Sequence, residues 1–288
     1  MLMLGLMLVV AGLGARRTDL TGVFRHPGKL IAGVAANTVY PVMFTLVVGT
    51  FLTFWYNGDK GQNVVVGLAM VGAMPIAGSS TTWSQNADGN LGLSLGLVWA
   101  STLLSPLITP AGLHAIALFT RGDYSKDLHE LASQGSGAFV VIAVVLPSLL
   151  GVALQFVLPA ALIARVMPAL KLLNLVDLLA LNYSNAAAAL PQAVAHPDWG
   201  FLGLVATLTT GMCVGAFTIG WAIARLFRAG GSDRTALMFG LGLNNNGTAL
   251  VLAAAALADH PLVLLPIIFY NLVQQIVAGA VHAMLRRV

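Results

Sequence analysis

Residues 67–86 read GLAMVGAMPIAGSSTTWSQN, and residues 234–248 read RTALMFGLGLNNNGT. Each starts as an apolar helix and then departs from one. The first sets Pro75, Gly78 and the hydroxyls of Ser79, Ser80, Thr81 and Thr82 inside the apolar run. The second sets Gly240, Gly242 and three consecutive amides, Asn244, Asn245 and Asn246, at comparable depth. Proline lacks the backbone donor and crowds the carbonyl four residues earlier. In a bilayer no water repairs that loss, so such stretches are predicted to unwind around a polar cavity, with Ser, Thr and Asn side chains meeting the freed backbone groups.

Composition places both stretches in a bilayer. Of 288 residues, 58% are hydrophobic and 8% charged, with a mean hydropathy of +0.88; soluble domains carry about 25% charged residues. A transmembrane barrel would alternate polar and apolar residues, which runs such as 140–147 and 253–258 do not. The expected fold class is an all-α membrane protein. At roughly 20 residues per span, about nine transmembrane helices account for the length, near 1–15, 30–56, 63–87, 91–120, 137–158, 166–191, 199–228, 234–258 and 262–285. That leaves no room for a soluble catalytic domain. The first span is short, but no charged segment precedes it and no A-x-A site stands before Arg16, so it reads as a retained helix rather than a signal peptide.

Basic residues assign the sides by the positive-inside rule. Arg16, Arg17, Arg25 and Lys29 fall between spans one and two, Arg225, Arg228 and Arg234 around the seventh-to-eighth junction, and Arg286 and Arg287 after the last. An even number of spans separates each group from the next. The opposite face holds Lys60, Arg121 and Lys126, diluted by Asp59, Asp123, Asp127 and Glu130. The reading is a multi-pass protein of the cell (inner) membrane with the N-terminus outside and the C-terminus cytoplasmic. Trp55, Tyr56 and Trp199 then lie at the outer interface, where amphipathic rings are favoured.

The two unusual spans resemble each other, GLAMVGAMP against TALMFGLGL, and lie an odd number of helices apart, so the copies run in opposite directions. That pattern is expected of an inverted repeat whose two discontinuous helices cross at the midplane and form an ion and substrate site. An unwound crossing presents carbonyls at one half-helix end and N–H groups at the other, suiting a cation and an anion side by side. Ser79, Ser80, Thr81, Thr82, Ser94 and the three asparagines add neutral oxygens suited to a hard monovalent ion. Polar residues also act as plain glue between membrane helices, and isolated serines read that way. Three adjacent amides do not, because they cannot all be buried cheaply without partners.

These residues carry a resemblance. The stretch from Pro75 to Ser94 is similar to the Pro-Gly-Gly-x-x-Ser-Asn segment, and the Leu-Ser that follows it, of the bile acid:sodium symporter family. Gly242, Leu243, Asn244 and Asn245 resemble its Gly-Met/Cys-Gln-Asn segment, Arg234 and Thr235 its preceding Arg-Thr, and Tyr270 and Gln274 fit its last helix. The match covers nearly the whole chain, in a nine-helix form without the extra first helix of some bacterial members. The resemblance implies a panel domain (about 1–15, 137–158 and 166–191), a core domain (about 30–120 and 199–285) and alternating access between them, moving a small organic anion with sodium. Its cation sites would map onto Ser80, Thr81, Ser94, Gly240, Leu241, Leu243 and Asn244; substrate contacts are expected from Ser79, Thr82, Asn182, Asn185, Asn245 and Asn246. Thr81 stands where the family has Asn, Asn244 where it has Gln, and Val98 where it has a threonine ligand. The family's shared sodium-binding glutamate aligns with Gly240. Without that carboxylate, worth roughly 4 kcal/mol at ~4 Å and an effective dielectric of 20, at most one weakly held sodium ion is expected, or coupling by protons or by none.

Another carboxylate, Asp177, lies inside the sixth span, close to Asn182 and Asn185. It reads either as an interfacial residue paired with Lys171 or as a proton-linked coupling residue, since intramembrane ionisable groups face cavities and pathways. No resident cofactor is expected and no metal other than sodium: Cys213 is single, and the histidines His26, His114, His129, His196, His260 and His282 lack paired-ligand spacing. Scattered cations argue against nucleic acid. No GxSxG, HExxH or paired intramembrane Asp supports an enzyme, and a sodium/proton antiporter would need acidic residues beside Asn244. A receptor or structural membrane protein on the same fold is the alternative to a carrier. The lipid bilayer and a small organic anion are the expected partners, and the chain is expected to be a monomer.

Overall fold

The computed structural model describes residues 2–14, 27–55, 58–195 and 197–286. Helices in chain order are α1 (Leu2–Gly14), α2 (Pro27–Trp55), α3 (Gly58–Gly72), α4 (Ser79–Asn86), α5 (Leu91–Ala117), α6 (Asp123–Glu130), α7 (Ser136–Val140), α8 (Leu146–Val157), α9 (Ala160–Ala195), α10 (Trp199–Leu226), α11 (Gly231–Gly242), α12 (Asn246–Ala256) and α13 (Leu264–Leu285). Two π turns, Leu131–Gly135 and Val141–Val145, join α6, α7 and α8. Among the described residues there is no strand. Among the described residues, five helical segments are long and apolar enough to cross a bilayer: Pro27–Leu52, Leu91–Ala117, Ser136–Val157, Trp199–Leu226 and Pro261–Leu285. Their exposed faces carry large apolar side chains, among them Leu107, Val157, Ile276 and Leu272, as lipid contact requires.

Both stretches quoted above break. The first span stops as α3 at Gly72 and resumes as α4 at Ser79; the second stops as α11 at Gly242 and resumes as α12 at Asn246. The two breaks meet as an antiparallel bridge between Ile76 and Asn244. Ala77 N–H donates to the Leu243 carbonyl (2.8 Å), and Asn245 N–H donates to the Pro75 carbonyl (2.9 Å).

The remaining helices divide around this crossing. α1 lies against α8 through facing glycines: a Cβ at Gly12 would come 2.4 Å from the Ser148 carbonyl, and one at Gly151 2.2 Å from that of Val9. Gln155 Nε2 donates to the Gly12 carbonyl in the same contact (2.7 Å). α2 packs on α3 and α5, and α10 on α11 and α13. α9 packs against α1, α12, α13 and the 3₁₀ turn Pro261–Val263.

Several boundaries shift by a few residues from the sequence reading, the start of the sixth span most. The sixth span, expected from residue 166, begins as α9 at Ala160, directly after Pro159. Arg165 does not end it, because it stands on the exposed face, where a long cationic side chain reaches toward the interface. Arg16, Arg17, Arg25 and Tyr56, and the side chains of Trp55, Asn182 and Asn185, lie outside the described residues.

Candidate functional site

Pro75 sets the geometry of the crossing. Its missing N–H and its ring deprive the Val71 carbonyl of the usual α-helical donor. Asn244 Nδ2, arriving from the other broken span, donates to that carbonyl (3.1 Å). Ile76 N–H donates to Ser101 Oγ on α5 (3.1 Å), and Thr109 Oγ1, about two turns further along α5, donates to the Ala73 carbonyl (2.6 Å). Asn244 N–H donates to Gln274 Oε1 from α13 (3.1 Å). Asn245 caps α12 by accepting from Thr248 N–H (3.4 Å). Side chains of α5 and α13 and the opposing break therefore hold the crossing together. Beside it, a void of about 10 Å³ is lined by Asn37, Gly72, Pro75, Ser101 and Ser105 among others, room for about one water.

A second group of polar atoms at the crossing has no partner. Ser80 Oγ, Ser84 Oγ, Ser94 Oγ, Asn244 Oδ1, both side-chain heteroatoms of Asn246 and Thr248 Oγ1 are all buried without a hydrogen bond. Ser80, Ser84, Ser94 and Thr248 are 0% exposed, Asn244 1% and Asn246 2%. Buried polar groups are nearly always satisfied, so these exceptions on α4, α5, the second break and α12 mark candidate positions for a small polar ligand, ion or water. The expected residues thus separate. Ser80, Ser94, Asn244 and Asn246 are buried and unsatisfied, Asn245 is a half-buried cap, and Thr81 is half-buried with its hydroxyl donating to the Gly78 carbonyl (2.7 Å). Ser79 and Thr82 are exposed on the other side of α4. Asp177 stands apart from the crossing, on α9.

Gly240 and Leu241 end α11, where carbonyls lack helical partners; the Leu243 carbonyl already accepts from Ala77. A Cβ at Gly240 would lie 2.8 Å from Leu97 Cδ1, and one at Gly33 would lie 2.5 Å from Leu97 Cδ2. Leu97 is fully buried between these glycines, in an apolar cluster with Val34, Ile76, Leu93, Ala236 and Leu237. The space beside position 240 is hydrocarbon. Sequence reasoning missed Leu97, along with Ser84, Ser101, Thr109 and Thr248; of these, Ser84 and Thr248 lay within the stretches already singled out.

A larger cavity lies elsewhere, about 510 Å³ lined by Asp59, Gln62, Arg121, Asp123, Tyr124 and His260 among others. There Tyr124 stacks on His260 with ring centroids 4.1 Å apart, and His260 Nε2 lies 3.3 Å from Asp127. Burial, with Asp59 next, pushes the Tyr124 phenol above its ordinary value.

Comparison with known proteins decides the class. The profile of the sodium bile acid symporter family matches residues 1–196, both the first broken span and α9. The chain belongs to this family. It resembles two Bacillus subtilis (strain 168) proteins: the uncharacterized protein YbaS, 26% identical over 275 residues covering 96% of this chain and 84% of that protein, and the uncharacterized sodium-dependent transporter YocS, 25% identical over 254 residues covering 88% and 72%. As a member of the sodium bile acid symporter family, the chain is a multi-pass membrane transporter and not an enzyme.

Proposed function

We propose that the chain is a secondary carrier of a small organic anion, working by alternating access across the inner membrane. The observation that carries the reading is the crossing itself, with buried unsatisfied polar atoms in the first turns of both resumed half-helices, Ser80 in α4 and Asn246 and Thr248 in α12, and Ser94 in the first turn of α5. α12 starts at Asn246 and α4 at Ser79, so both direct N–H groups and positive dipole ends toward the break, which favours an anion. Ser79, Thr82, Asn245 and Asn246 make the substrate contacts in this reading, joined by Asn182 and Asn185 from α9.

Counting each broken pair as one span, and α6 to α8 as one, gives nine crossings. The opposed breaks, meeting antiparallel at Ile76 and Asn244, support an inverted repeat. The panel comprises α1, α6 to α8 and α9; the core comprises α2 to α5 and α10 to α13. α12 packs against α1 and α9, whereas α4 and α11 make their main contacts within the core. With the N-terminus outside and the C-terminus cytoplasmic, this corresponds to a carrier closed outside and open inside. One chain holds the whole arrangement, so the working unit is a monomer.

The oxygens of Ser80, Thr81, Ser94 and Asn244, with the carbonyls of Gly240, Leu241 and Leu243, form a neutral set for at most one weakly held sodium ion. Leu97 occupies the position from which a carboxylate would join it, so the sodium dependence in the name of YocS does not transfer whole.

The test is the melting temperature of the purified protein in sodium-free buffer with pantothenate, pyruvate or taurocholate, against chloride. A rise with at least one anion, lost in Asn246→Ala, supports the site. No rise with any, or the same rise in the variant, overturns it.

A further inference from the structure

α9 turns one stripe toward the protein. Ile163, Val166, Met167, Leu170, Asp177 and Ala180 are half-buried, while Leu172, Leu175, Val176 and Leu179 are exposed. The inward positions recur at helical spacing, and all but one are apolar. The exception is Asp177, roughly midway along a 36-residue helix and so about 26 Å from either end. Its Oδ2 is buried and has no hydrogen-bond partner.

Lys171 is not its counter-ion. Six positions apart on a helix points two side chains to different faces, Lys171 is exposed, and no ion pair joins the two among the described residues. The elements packed against α9 offer no other. α1, α12 and the 3₁₀ turn Pro261–Val263 carry no titratable side chain. α13 carries Tyr270, buried in the core, and His282, which meets Trp83. His260, just before the 3₁₀ turn, is engaged by Asp127 and Tyr124. On α9 itself the other charge is Arg165, exposed. An ionisable side chain set into the apolar stripe of such a helix marks a functional position by default.

We infer that Asp177 is a proton-binding site that couples anion movement to protons; this rests on the carrier reading above and names its coupling ion. α9 packs against α12, whose first turn carries Asn246. Through that packing the charge on α9 bears on an anion at the crossing: an ionised Asp177 disfavours the anion at longer range and a protonated one does not, so anion and proton bind with mutual advantage. A proton from the water on one side adds to the carboxylate as the carrier loads. The O–H bond breaks on the other side, returning the proton to water and the carboxylate to its charge. No electron moves, and a monoanion with one proton crosses without net charge.

Two measurements on the reconstituted full-length protein test this. Infrared difference spectra between acid and alkaline buffer should show a buried carboxylic-acid C=O band in the wild type, lost in Asp177→Asn and restored, shifted, in Asp177→Glu. A band unchanged in Asp177→Asn overturns the proton site. In liposomes, an imposed pH gradient should drive accumulation of a probe anion, pantothenate, pyruvate or taurocholate, in the wild type and Asp177→Glu but not in Asp177→Asn, whose exchange should lose its pH dependence. Accumulation persisting in Asp177→Asn overturns the coupling. Wild-type protein that exchanges none of the probes overturns the carrier reading instead, and the infrared band then stands or falls on its own.

Discussion

At the scale of single residues, Leu97 separates this chain from a pattern its motifs otherwise follow. The resemblance located the missing carboxylate at Gly240, but nothing in the sequence marks Leu97 as the side chain that fills the space. Leu97 lies many positions away on α5 and looks like any apolar residue of a membrane helix. Restoring an acid at 240 therefore overpacks an apolar cluster, at about 1–3 kcal/mol, besides burying a charge. We expect Gly240→Glu to lower the melting temperature sharply. Leu97→Ala should cost about 2–5 kcal/mol through its cavity. Because the two side chains compete for one space, the double variant should be less destabilised than the sum by about 1 kcal/mol or more, and should gain a melting rise specific to sodium over potassium. Simple additivity without a sodium effect, measured in a double-mutant cycle, would show that Leu97 is not what closes the site.

At the scale of elements, the two broken helices were legible because their causes are local. Pro75 removes a donor and crowds a carbonyl, and three consecutive asparagines have no low-cost place in an intact apolar helix. The groups that repair the breaks were not legible in the same way. Ser101 and Thr109 on α5, and Gln274 on α13, serve Ile76, Ala73 and Asn244 only because of which helices become neighbours. Local pattern carries no such information. The start of α9 was misplaced for a related reason: a charged residue marks a span's end only when it cannot reach the interface, and Arg165 lies on an exposed face. Ser101→Ala offers the element-scale test. It leaves the Ile76 N–H buried without its acceptor, which costs about 1–3 kcal/mol. We expect a corresponding drop in melting temperature, together with faster hydrogen exchange at residues 73–78 and no change in α1 or α8. Exchange unchanged at the break would mean that Ser101 does not hold it.

At the scale of the whole molecule, the account joins a crossing with unsatisfied buried polar atoms to α9, where Asp177 Oδ2 is buried without a hydrogen-bond partner. The sequence showed the membrane class, the two odd spans and Asp177, since composition and residue type suffice for those. It did not show which candidate hydroxyls face inward: Ser80 is buried while Ser79 and Thr82 are exposed, a division set by the rotation of an eight-residue helix against α5 and α11. Nor did it show that α12 packs against α1 and α9 while α4 makes its main contacts with α5 and α11, the asymmetry on which the inward-open reading depends. A receptor or structural protein on this fold could bind an anion at the crossing, but it would not pass the anion through. The deciding measurement is counterflow of radiolabelled pantothenate, pyruvate and taurocholate into liposomes containing the purified protein, in sodium-free buffer, with the same unlabelled anion trapped inside. We predict a transient, saturable overshoot of label for at least one anion, absent from Asn246→Ala. Label entering no faster than into protein-free liposomes, for all three anions and with sodium added as well, would contradict the carrier.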